Sequence, residues 1–475
     1  MKNSINVLKR KGVDYADLRK VRSQSQRIKV KNGEVEGISS RESSGFGIRV
    51  LKDGAWGFSS SAVISEEEIE RVASEALRIA SASASVNKDK SKLSDAEPWV
   101  DVYRSSYLED PFQVPLEEKI GLLMKAVEAM KGDEIKVAEG SLAFDRTWKL
   151  FLNTEGAEID QVITQSGGGI VATASDGQQV QKRSYPNSSG GDLATKGYEF
   201  IRNLRLAENA ARVKEEAIAL LSAPECPEGE MDVIIGGSQL ALQVHESCGH
   251  PTELDRVLGS EISYAGGSFL TLEKLNNFQY GSTLVNITAD ATIKGGLGTF
   301  GYDDEGVRAQ RSYLVREGLF VGYLTSRETA LVLGQRSNGT MRADGWNRIP
   351  LIRMTNINLE PGEWNLDDLI ADTREGIYLD TNKSWSIDDL RLNFQFGTEI
   401  GWVIKRGKMG KMVKNPIYTG ITPQFWKSCD AICNRESWHI WGIPNCGKGE
   451  PSQIMKVAHG TSPARFRKMK VGVNR

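Results

Sequence analysis

The segment that most constrains this chain is His245-Glu246-Ser247-Cys248-Gly249-His250, followed at once by Pro251. It comes after a short apolar run, Asp232 to Ile235, a Gly236-Gly237 turn and Ser238, the order expected of a strand, a turn and the N-cap of a helix. An α-helix turns by about 100° per residue, so histidines four apart lie roughly 40° apart around the axis, whereas those five apart lie roughly 140° apart. A regular helix therefore cannot aim His245 and His250 at one point. A π-bulge that inserts one residue, or a break between the two histidines, would bring them together, and Gly249 and Pro251 favour either. Local irregularity is expected over residues 247–251.

The residue types point to metal chemistry. Imidazoles bind zinc, and a carboxylate beside a ligand, as Glu246 is, can take a proton from water that the ion has acidified. Histidine is scarce, with 4 in the chain, so two in one hexapeptide argue for ligation over the plain alternative of a satisfied core histidine. Zinc needs a third protein ligand and an open position. The candidates are Cys446, Cys429, Cys433, Cys248, Cys226, His439, His459 and any nearby carboxylate. Cys248 is too close to His245 in sequence to share its ion, and Cys226 sits in a Pro-flanked linker. Cys429, Cys433, His439 and Cys446 lack the spacing of a structural zinc site, and buried free thiols are the default for Cys429 and Cys433. Asp255 is a candidate for orienting a ligand imidazole, or equally a surface helix residue. Asp303, Asp304 and Glu305 are read as an acidic turn on a solvated loop in preference to a channel lining or a cation site. Trp385, Trp402, Trp426, Trp438 and Trp441 read as core or interface anchors.

A chain of 475 residues exceeds what one ordinary core covers, and turn and linker signals divide it into three stretches. In residues 1–100, strand-like runs at Arg27–Val30 and Gly47–Leu51 meet a hairpin signal at Asp53-Gly54. Ser65 and Glu68 then form a capping box ahead of Ile69, Val72, Ala73, Ala76, Leu77 and Ala80 at helical spacing. The Ser/Ala-rich, then charged stretch Ser81 to Ser94 reads as a linker. In residues 101–224, Pro115 opens a helix over Leu116–Met130, turns at Asn153–Gly156 and Asp176-Gly177 punctuate an antiparallel meander, and a helical region covers Leu193–Leu221. Residues 225–475 are β-rich around the single HExxxH helix, with turns at Glu317-Gly318 and Arg406-Gly407. The fold class is therefore α+β, with two mixed N-terminal domains carrying antiparallel sheets and a β-rich C-terminal domain.

The 60 Lys and Arg balance 62 Asp and Glu, which removes the basic footprint of phosphate-backbone binding, so no direct nucleic-acid partner is expected. No apolar run near the N-terminus resembles a signal segment, and no window reaches the length of a membrane span. Five irregularly spaced cysteines argue for reduced thiols. A cytoplasmic protein with no membrane partner is expected.

With these residues in hand, the chain resembles the TldD/PmbA family. The resemblance rests on HESCGHPTELD together with GFGIRVLKDGAWGFSS, YDDEGV, SNGTMR, LNFQFGTEIGWVIKRGK, NPIYTGITPQFW and NCGKGEP, and it covers nearly the whole chain. It implies His245 and His250 as metal ligands, Glu246 as catalytic base, and Cys446 of NCGKGEP as the third ligand of one zinc ion per chain. It further implies a peptidase that takes unfolded or extended peptides into a channel enclosed by paired subunits. The pair would be a homodimer or a heterodimer with a motif-lacking TldE/PmbA-like paralogue, this chain matching the motif-bearing branch. A β-rich scaffold suits such substrates, because an extended peptide can add to a strand edge. Two alternatives stand beside this reading: a non-catalytic regulatory or binding subunit of the gyrase-modulator kind, and a zinc amidohydrolase acting on non-peptide substrates.

Overall fold

The structure is a computed structural model that describes residues 1–188, 190–264, 266–449 and 452–473. Its N-terminal part is built on one eight-stranded sheet ordered Ala55–Ser61, Glu34–Lys52, Tyr15–Lys31, Ile135–Asn153, Glu158–Ser175 and Val100–Arg104, with Val180–Tyr185 and Asp192–Ala194 also pairing on Glu158–Ser175. Four of these strands run to 17, 19, 19 and 18 residues, roughly 60 Å at the usual rise. The sequence signals at Arg27–Val30 and Gly47–Leu51 are only the ends of the first two. Between those ends the residues are Ser, Gln, Arg and Glu, part-buried or exposed, so that ladder is held by backbone pairing without the apolar alternation that would reveal it. Its two hairpins, Asn32-Gly33 and Asp53-Gly54, have positive φ at both residues, as the tight turn that matches strand twist requires.

The sheet runs across position 100, and each stretch covers it with its own helices. Glu66–Val86, capped by the Ser65 hydroxyl accepting the Glu68 N–H at 3.2 Å, buries Ile69, Val72, Ala73, Ala76 and Ala80 in one cluster with Phe46, Ile48 and Val50. Leu116–Ala129 and Leu206–Ser222 cover the other end through Leu123, Val127, Ala210, Val213 and Ala217. The expected helical region 193–221 starts only at Tyr198, Leu193 and Ala194 belonging to the strand Asp192–Ala194. It is divided because Arg205 takes a left-handed conformation, φ 48°, between the helices Tyr198–Leu204 and Leu206–Ser222.

In the C-terminal part, Gly229–Ile235, Ala464–Val473, Pro416–Ile421, Asn393–Lys405 and Glu375–Ile387 pair in sequence, and the last returns to pair in parallel with the first, which closes a barrel. Closure removes the strand edges, and Val233, Phe394, Phe396, Tyr418, Phe425 and Phe466 share its core. The helix Gly237–Val244 is buried on nearly all faces, its Gln239 and Gln243 both bonded to the Tyr418 hydroxyl at 2.9 and 3.0 Å. A hairpin of His439–Lys448 and Gln453–Thr461 packs beside it. Of the tryptophans, Trp426 is fully buried in this core while Trp385 is half exposed.

Asp303, Asp304 and Glu305 are not on a solvated loop. All three are buried where the C-terminal part meets the long sheet, and partners from that sheet explain why: Asp304 pairs with Lys149 and with Arg19 at 3.9 Å, and Glu305 lies 3.7 Å from Arg49. Asp303 accepts the N–H groups of Glu305 and Val307 at 2.9 Å and of Met341 at 3.0 Å. No helix among the described residues is long and apolar enough to cross a membrane.

Candidate metal centre

The helix Gly237–Val244 is capped at Gly236, not Ser238, whose hydroxyl instead donates to Asp380 at 2.9 Å. Its end carries the irregularity that the histidine spacing demands: a π-turn at His245–Gly249, then a 3-10 turn at His250–Thr252. Pro251 has no N–H to offer the Ser247 carbonyl one turn back, and the Tyr280 hydroxyl takes that place at 2.8 Å. The Thr252 hydroxyl serves the Cys248 and Gly249 carbonyls, each at 2.9 Å. Gly249 has no room for a side chain, since a Cβ there would sit 2.1 Å from Met354 Sδ.

The extra residue turns both rings the same way. Their centroids are 4.9 Å apart and their planes nearly perpendicular. Cys446 arrives from the strand His439–Lys448 just after a bulge in its pairing, and its sulfur lies 3.8 Å from His250 Nε2. Ligand atoms on His245, His250 and Cys446 all fall within 4.8 Å of one another, and among the described residues this is the grouping that could hold an ion. Zn–N near 2.0 Å and Zn–S near 2.3 Å in a tetrahedron place N and S about 3.5 Å apart, so the donor set fits.

Hydrogen bonds assign the tautomers. His459 Nδ1 faces the Ile357 carbonyl at 3.0 Å and must carry its proton, so its Nε2 accepts from His245 Nδ1–H at 2.7 Å. That leaves the His245 lone pair on Nε2. Glu253 holds His250 Nδ1–H at 3.0 Å and fixes the same arrangement there. Burial drives His245 down from its ordinary pKa and His250 and His459 well below it, so all three rings are neutral. Burial pushes the Cys446 thiol up while the Arg353 guanidinium beside it pulls it down, and a bound cation would draw it on to thiolate.

The other candidates are elsewhere. His459 orients a ligand and is not itself in the triad. Asp255 pairs with Lys448 at 2.6 Å, and the carboxylate on the imidazole is Glu253, one helical turn after His250, a spacing that could have marked it in the sequence. His439 is half exposed and bonded to Asp192 at 2.7 Å. Cys226, Cys248 and Cys429 are buried free thiols raised to about 12 by desolvation, as is Cys433. Glu246 is buried next to the triad with Arg391 Nη1 2.5 Å from its Oε2, a contact 145 residues distant that no local pattern announces.

Profiles of three domains match the chain in order: PmbA/TldA metallopeptidase domain 1 at residues 16–80, the central domain at 109–221 and the C-terminal domain at 228–473. The chain belongs to the PmbA/TldD metallopeptidase family. As a PmbA/TldD member it is a metalloprotease. Similar proteins include a metalloprotease of Methanocaldococcus jannaschii, 31% identical over 88% of this chain and 89% of that one. A metalloprotease TldD homolog of Haemophilus influenzae is 25% identical over 99% and 95%. The PmbA/TldD fold recurs in solved structures of a protein described as a modulator of a DNA gyrase from Thermotoga maritima, TM-score 0.79 at 19% identity, covering 99% of each chain. TldE from Thermococcus kodakarensis gives 0.71 at 18% identity, also covering 99% of each.

Proposed function

We propose that this chain is a zinc-dependent peptidase acting on unfolded or extended peptides, with His245, His250 and Cys446 as the ligands and Glu246 as the group that moves the proton. The single observation that carries this reading is the convergence of two neutral imidazoles and a thiol within 4.8 Å beside the Glu246 carboxylate. Two imidazoles and a thiolate are a set suited to zinc. When bound, the ion would polarise the scissile carbonyl and acidify water. Glu246 accepts a proton at its Oε1 and returns it to the leaving amine, while Arg391 occupies Oε2. His459 and Glu253 keep both rings in the ligating tautomer.

A cavity of about 360 Å³ between the long sheet and the C-terminal part reaches Met455, which is paired opposite Cys446 in the hairpin. Lined by Lys149, Gln165, Phe300 and Arg342 among others, it offers an approach for a peptide. A partner of the TldE kind and a cytoplasmic setting complete the reading. Glu246→Gln should retain metal and lose peptide turnover by at least about 10²-fold, measured with zinc content on one preparation. Full turnover with full metal would refute the role of Glu246. A wild-type protein with full metal and no hydrolysis would favour the binding-subunit alternative.

A further inference from the structure

Arg391 stands in the turn between the barrel strands Glu375–Ile387 and Asn393–Lys405, with φ 64° at a residue that has a side chain. A left-handed non-glycine residue is strained and persists only where its surroundings determine it. Here they do, and without the guanidinium. The Arg391 N–H donates to the Asp388 carbonyl at 2.9 Å, and its carbonyl accepts the Thr422 hydroxyl at 2.8 Å. The Asp388 carboxylate takes the N–H groups of Leu392 and Asn393 at 2.7 and 3.0 Å, and Phe269 N–H donates to the Leu390 carbonyl at 3.0 Å.

The turn therefore has its own fastening, and the side chain is free for another task. It reaches inward until Nη1 lies 2.5 Å from Glu246 Oε2, both side chains largely buried, while its Nε is buried without a hydrogen-bond partner. A guanidinium buried with a donor unmet is expensive as a structural staple. Glu246, in contrast, stands on a π-turn, and its carboxylate sits on three rotatable bonds. Without a partner it would sample orientations that a proton carrier cannot afford, since small misplacements at a reacting centre cost orders of magnitude.

We propose that Arg391 is the positioning residue for Glu246: by holding Oε2 it fixes the carboxylate so that Oε1 stays aimed at the space between His245, His250 and Cys446. The inference rests on the proposed peptidase reading. Arg391→Ala should keep its metal and melting temperature, lose kcat by about 10²-fold with KM changed less than about 3-fold, and recover part of kcat on adding guanidinium ion below denaturing concentration. Arg391→Lys, which keeps the charge but not the planar fork, should give an intermediate kcat and serves if the alanine variant does not fold. A readout independent of turnover is a crystal structure of the metal-free Arg391→Ala protein, in which the Glu246 carboxylate should leave its wild-type position. An unmoved carboxylate, wild-type kcat, or a loss confined to KM would overturn the assignment while leaving the peptidase reading intact. A wild-type protein that holds metal and cleaves no peptide would sink the peptidase reading and this inference with it.

Discussion

The hexapeptide His245–His250 and the acidic run Asp303–Glu305 are both buried in the C-terminal part, yet their polar atoms meet different partners. In the acidic run each carboxylate is answered on the spot: Asp304 by Lys149 and Arg19, Glu305 by the Arg327 N–H at 2.7 Å and by Arg49, Asp303 by backbone N–H groups. Around the hexapeptide the outer ring nitrogens are satisfied by His459 and Glu253, while the inner ones face each other and a sulfur. Buried neutral donors that converge on one another leave a place for a cation, and a buried charge already paired does not. Burial alone is thus no mark of a site; the direction of the unspent lone pairs is. The acidic run joins the two parts of the molecule, and the hexapeptide presents a convergent donor set.

The largest effect that would break this comparison lies in the triad itself. Cys446→Ser should lower zinc affinity by well over about 100-fold, more than the loss usual for outer partners, whereas Cys429→Ser should leave it unchanged. Equilibrium metal competition measures both, and equal losses would move the site to the C-terminal cysteines. A smaller effect sharpens the comparison at its edge. Glu253→Ala should weaken zinc by about 10–100-fold because His250 loses its acceptor, while Asp255→Asn should lower the melting temperature by removing one charged partner of Lys448 and spare the metal. Metal loss in the Asp255 variant instead would return the orienting role to that residue.

Much of this was legible in the sequence because it depends on local chemistry. The helix irregularity followed from an angle between His245 and His250, and the Asp53-Gly54 hairpin and Ser65 cap followed from residue type at fixed spacing. The α+β class with a β-rich C-terminal part also stood, though the barrel's closure by a parallel pair between Gly376–Leu379 and Asp232–Ile235 joins segments far apart in the chain and leaves no local trace. The same holds for the acidic run. Asp303-Asp304-Glu305 reads as a solvated turn unless one knows that Arg19, Arg49 and Lys149 lie across from it. Arg391 was hidden likewise, and His459, a candidate ligand in the sequence, gave no sign of its orienting role, since each acts on a residue more than a hundred positions away.

The smallest effect tests whether the acidic run is as fully answered as the comparison claims. Burial first, and then the charge of Glu305, pushes Asp303 up to about 8, and burial raises Glu305 as well. A carboxyl whose pKa is raised on folding holds its proton more tightly in the folded state. Its contribution is therefore complete below the unfolded value near 4 and is lost as pH climbs through the folded value. The joint should accordingly loosen between about pH 5 and pH 8. Glu305→Gln keeps the acceptor for the Arg327 N–H at 2.7 Å, removes one raised carboxyl and relieves the other of its nearest negative charge. The fall in melting temperature across that range should become shallower by about 1–2 °C, a modest shift because a long chain unfolds with a large entropy. Calorimetry at the two pH values measures it, with metal saturated so that the histidines do not contribute. An unchanged or steeper fall would mean that Arg49 and Arg327 already hold both carboxylates charged across the range, making the acidic run an ion-pair joint insensitive to neutral pH.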